Sequence, residues 1–108
     1  MVNASYPGWY RFLKDRHPRF VGALESLGEA LRQEGPLDEK TGHLIQMAAA
    51  AAIGSEGSVH SHVRRALAAG ATPEEVTHAL ILLTSTIGFP RVSAALSWAQ
   101  EVMKPGSR

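Results

Sequence analysis

Residues 54–62 read GSEGSVHSH, placing three serines, two histidines and a glutamate in nine positions. Ser55, Ser58 and His62 are spaced by three and then four residues, which sets them on one face if the segment is helical. Imidazole titrates near neutral pH, so His62 is suited to act as a general acid or base. Ser58, one turn earlier, could hydrogen-bond that ring or a substrate carboxylate, and Ser55 would add a second substrate-binding hydroxyl. A helix that carries His43 toward the same cleft would bring in a second imidazole, able when protonated to hold an anion. Met47 and Leu44 would give such a pocket an apolar wall. The chemistry that fits is proton transfer to or from a small substrate.

Each residue also has a plainer use. Serines at 55 and 58 suit a helix N-terminus, where hydroxyls cap free amides. His62 could be a core-edge ring satisfied by a backbone carbonyl, His43 a partly exposed helix residue, and Met47 and Leu44 core. A nucleophilic Ser58–His62 pair lacks an orienting carboxylate and a nucleophile-elbow pattern. Four imidazoles raise the question of a metal: His43, His60, His62 and His78. His60 and His62, two residues apart, point to nearly opposite sides of a helix, and no H-E-x-x-H is present. His43 and His62 with an acid from a neighbouring subunit would make a metal-dependent alternative. Otherwise no metal and no cofactor is expected. His60 is assigned to solvent or a subunit contact, and His78 to a boundary between apolar and wet faces. Trp9, Tyr10 and Phe12 read as packing or interface aromatics, and the charge series RFLKDRHPR as a solvated face.

Helices must position these groups. Pro18 can open one at its first position; Phe20, Ala23, Leu24, Leu27 and Leu31 follow at helical spacing, and Gly35 and Pro36 close it. Asp38 caps the next, which runs to about Ala52 and ends at Gly54; its alanine run lets neighbouring backbones approach closely. A third helix starts near Ser55–Ser58 and ends at Gly70. Thr72 and Glu75 form a capping-box pair around Pro73 for a fourth helix over 73–87, and Pro90 opens a last one through about Met103. No segment alternates with a period of two. The pattern predicts an all-α fold, a helical bundle of about five to six helices with short connections.

Composition narrows the class. A chain of 108 residues fits a single domain. Eleven Lys and Arg against 10 Asp and Glu give a net charge of +1, which argues against a broad nucleic-acid footprint. With no cysteine, disulfides, thiolate metal sites and cysteine nucleophiles are excluded. No secretory signal follows Met1, and the apolar runs at 44–53 and 79–83 are short of the roughly 20 residues that span a bilayer. A cytoplasmic protein without membrane partners is expected. The apolar stripe in 79–89 is broad for so short a chain, which points to a homo-oligomer.

The stretch from GPLDEKTGHLIQMAAAAA through SHVRRALAAGATPEEVTHAL to TIGFPRVSAAL resembles the carboxymuconolactone decarboxylase family, which includes alkylhydroperoxidase AhpD-like proteins. The resemblance covers roughly residues 18–103, and His62 and Gly70 stand at the family's spacing. It implies a helical AhpD-like bundle that assembles as trimers or hexamers, with clefts near subunit interfaces. AhpD-like members carry Cys-x-x-Cys before the histidine and a glutamate on the preceding helix; here those positions are Ser55, Ser58 and His43. Serine has no accessible thiol redox couple, so thiol peroxidase activity is not expected. The decarboxylase branch keeps the histidine without the cysteines and acts on γ-carboxymuconolactone, although GSVHSH departs from its usual acid–leucine segment. The resemblance therefore implies a lyase acting on a small organic acid, with His62, His43 and Ser58 catalytic and Ser55 and Met47 lining the substrate. The alternative is a non-catalytic oligomer on the same scaffold.

Overall fold

The computed structural model describes residues 8–105, and among them every regular element is a helix. They fall into two compact units divided after Asp38. The smaller unit holds α1 (Gly8–Arg16) and α2 (Pro18–Gln33). Pro18 sits at the start of α2 as its fixed φ favours. The Tyr10 hydroxyl donates to Glu25 Oε2 at 2.9 Å and Lys14 Nζ lies 3.4 Å from the same oxygen, tying α1 to α2. Trp9 and Tyr10 pack edge to face with ring centroids 5.8 Å apart. The segment expected to be a solvated face, residues 11–19, runs through most of α1 into the first turn of α2, and no residue of it is buried. Phe20, Leu24, Leu27 and Leu31 of α2 are all exposed.

The larger unit contains α3 (Glu39–Ala52), α4 (Glu56–Ala68), α5 (Pro73–Ile81), the single turn α6 (Thr84–Ile87) and α7 (Phe89–Met103). Its core joins Met47, Ala50 and Ala51 of α3, Val59, Val63 and Ala66 of α4, Val76 and Leu80 of α5, and Ala95 and Ala99 of α7. The α3–α4 pair is the most extensively packed, and the small side chains of Ala50, Ala51 and Ala66 permit that closeness.

Two matching turns set the chain direction. At the end of α3, the Ser55 amide donates to Ala50 O at 2.9 Å and the Gly54 amide to Ala51 O at 3.1 Å. At the end of α4, Ala71 donates to Ala66 O at 2.9 Å and Gly70 to Leu67 O at 3.0 Å. Both are Schellman closures, and both put their glycine at positive φ, 73° for Gly54 and 106° for Gly70. The Arg91 guanidinium lies directly where a side chain on Gly54 would go, so α7 is fitted to that turn.

The helix expected over 73–87 stops at Ile81, and α6 forms separately. The Thr84 hydroxyl donates to Ile81 O at 2.7 Å, engaging the carbonyl with which the next turn would have continued. Gly88, at φ 88°, then redirects the chain into α7. Among the described residues no helix is long and apolar enough to cross a membrane.

The capping box at α5 is complete. Glu75 N donates to Thr72 Oγ1 at 3.0 Å, and Thr72 N donates to Glu75 Oε1 at 3.0 Å. The Thr72 amide donating to its carboxylate, with Lys40 Nζ at 3.3 Å, holds the Glu75 carboxyl below its ordinary pKa. A carboxylate lowered on folding stabilises the fold above its unfolded pKa and loses that contribution as pH falls through the folded one. Thr72→Ala should cost about 1 kcal/mol in chemical denaturation. Glu75→Gln should melt below the parent at neutral pH, and the gap should close on acidification past the ordinary glutamate range. A gap that persists in acid would show that the charge is not what matters.

Candidate functional site

Helices α3 and α4 carry the two rings that meet. His43 lies on the buried face of α3 with Met47, Ala50 and Ala51, and is only 3 % exposed. His62 lies one position before the fully buried Val63 on α4, at the edge of that helix's apolar stripe, and is half-buried. The Nδ1 atoms of the two rings are 3.1 Å apart, with ring centroids at 5.4 Å and planes inclined by 36°. The Schellman turn at Gly54 folds α4 back along α3, and residues nineteen apart in sequence touch.

The geometry constrains the protons. A contact of 3.1 Å between two ring nitrogens is a hydrogen bond only when one of them carries a proton and the other a lone pair. In a neutral pair, the ring that donates through Nδ1 has a bare Nε2, and the ring that accepts has a protonated Nε2. The pair therefore offers one basic and one acidic outer nitrogen. Passing the shared proton across exchanges those roles.

The other expected site residues are placed differently. Ser55 is the N-cap residue of α4, yet its hydroxyl makes no capping bond. Ser58 is exposed on α4. Met47 is fully buried in the core and has no free surface in the single chain. His60, two residues from His62, turns away and meets Glu101 of α7, with Nε2 2.9 Å from Oε1. His78 is exposed and lines an open cleft of about 330 Å³ with Glu74, Thr77 and Gln100; neither His43 nor His62 lines that cleft. The His60–Glu101 contact was not foreseen, because nothing in the sequence links two residues 41 apart.

A model of the carboxymuconolactone decarboxylase family matches residues 18–101. An uncharacterized protein of Methanocaldococcus jannaschii is 29 % identical over 90 residues, covering 83 % of this chain and 84 % of that protein. No solved structure matches the chain.

The shared proton has a spectroscopic signature. In ¹⁵N-labelled protein near neutral pH or above, long-range nitrogen–proton spectra should show His43 and His62 as complementary tautomers, one protonated at Nδ1 and the other at Nε2. Two rings both in the Nε2-protonated form would overturn the bond.

Proposed function

The chain belongs to the carboxymuconolactone decarboxylase family, and from that membership and the ring pair we propose a lyase that removes carbon dioxide from a small carboxylated lactone. The observation that carries this reading is the Nδ1–Nδ1 contact of 3.1 Å between a buried His43 and a half-buried His62. His62, the more accessible ring, is the general acid. In the productive state the pair carries one extra proton: His43, protonated at both nitrogens, donates through Nδ1 to His62 Nδ1, and His62 presents a protonated Nε2 to the substrate.

The step balances simply. The bond from the substrate carbon to its carboxylate breaks, and its electron pair moves into the conjugated lactone carbonyl. Carbon dioxide leaves, and the proton on His62 Nε2 is delivered to carbon. As that proton leaves, the one shared with His43 moves onto His62 Nδ1, so both rings end neutral, and solvent returns one proton to the pair. In this reading Ser58 and Ser55, which stand one and two turns before His62, bind the substrate's polar groups, and Met47 backs the His43 ring. The chain has no cysteine, so this chemistry needs no thiol.

Self-association is part of the same proposal. Phe20, Leu24, Leu27 and Leu31 lie at one helical stripe of α2 and are 47–58 % exposed. Ile81, Leu82 and Phe89 are also exposed, between 49 % and 63 %. Apolar surface on this scale is characteristic of a contact face for a second copy of the chain.

With γ-carboxymuconolactone as substrate, His62→Ala should lower kcat by roughly 100- to 10,000-fold, the usual share of general acid–base catalysis. His43→Asn should reduce kcat and shift its pH profile while leaving KM less affected. Retention of full turnover by His62→Ala would remove the reading. Light scattering on the parent at micromolar concentration should give a homo-oligomer, and Leu27→Glu should shift it toward the monomer; a parent that runs as a monomer would remove that part.

A further inference from the structure

We propose that Glu56, His60 and Glu101 form a binding site for a divalent transition-metal ion such as Zn²⁺, separate from the His43–His62 pair. The three side chains come from two helices. Glu56 and His60 are one turn apart on α4, and Glu101 reaches them from α7.

Distances favour an ion at the centre. Zn²⁺ takes imidazole nitrogen and carboxylate oxygen at about 2.0–2.2 Å, so its tetrahedral ligands stand about 3.4 Å from one another. Here His60 Nε2 is 2.9 Å from Glu101 Oε1 and 4.0 Å from Glu56 Oε2, values that bracket that spacing. All three donor atoms lie within 4.8 Å of one another. Side-chain exposures are 55 % for Glu56 and 60 % for Glu101, against 23 % for His60, so the two carboxylates reach solvent from which an ion would arrive.

Charge favours it too. The set offers two carboxylates and one imidazole, a donor charge that matches a divalent ion. The imidazole in the set selects zinc, cobalt, nickel or copper over magnesium and calcium, which prefer all-oxygen shells. Three protein ligands on an exposed face leave the fourth position to water. On α4, His60 and His62 project to nearly opposite sides, so this ion would not reach the proton-sharing pair. What it would do is fasten α4 to α7.

Calorimetric titration of the purified chain with zinc chloride should show one ion bound per chain. At a hundredfold excess over Kd the melting midpoint should rise by roughly 10 °C. His60→Ala and Glu101→Gln should each abolish the binding and the rise, and Glu56→Gln should weaken both. Glu101→Gln keeps an acceptor for His60, so it serves where His60→Ala fails to fold. His62→Ala should bind as the parent does. No binding by the parent would overturn the proposal, as would binding that survives in Glu101→Gln or disappears in His62→Ala.

Discussion

The structure depends on how closely α3 and α4 approach. A buried imidazole needs a hydrogen-bonding partner, because an unpaired polar group removed from water costs on the order of 1–3 kcal/mol. His43 is 3 % exposed and carries that requirement into the core. Its partner stands on the next helix, 3.1 Å away. Met47, Ala50 and Ala51 of α3 pack in one core cluster with Val59, Val63 and Ala66 of α4. A wider spacing of the two helices would cost His43 this contact.

The turn at Gly54 serves the same contact. A Schellman closure needs its glycine in the left-handed region, and φ 73° at Gly54 costs a side chain roughly 1–2 kcal/mol. The Arg91 guanidinium occupies the space such a side chain would take, so α7 reinforces the choice of glycine. The fixed turn sets where α4 starts, and that start sets which turn of α4 faces His43. Register in this helical pair is thus controlled from one end by backbone hydrogen bonds and along its length by side-chain volume.

Much of this was legible in the sequence, for local reasons. Pro18, the Thr72–Glu75 box, and glycines at 54 and 70 act within four or five residues, and the structure places helix ends where they stand. The end of α5 was not legible, because Val76, Leu80 and Ile87 continue the apolar period past the point where the helix stops. Helix α1 was not foreseen: Trp9, Phe12 and Leu13 stand at helical spacing, but the aromatics there read as packing groups and the charges as a solvated face. At the site, the periodicity that groups Ser55, Ser58 and His62 says where side chains point along one helix. It does not say which helix comes opposite, so the His43–His62 contact needed coordinates, as did the meeting of His60 with Glu101.

Helix α4 therefore carries two kinds of polar chemistry on opposite sides, and burial separates them. Toward α3, His62 meets a ring removed from solvent, and a proton held between two nitrogens in a poorly hydrated place exchanges with water only through the outer nitrogens. Toward α7, His60 meets Glu101 at a surface where water and salt screen the pair, and such an exposed ion pair contributes little stability by itself. Val59 and Val63, both fully buried, fill the helix between the two. Two imidazoles two residues apart are thus assigned to different environments by the pitch of one helix. That division lets a proton-transfer pair and a surface cluster of carboxylates occupy the same thirteen-residue element without sharing protons.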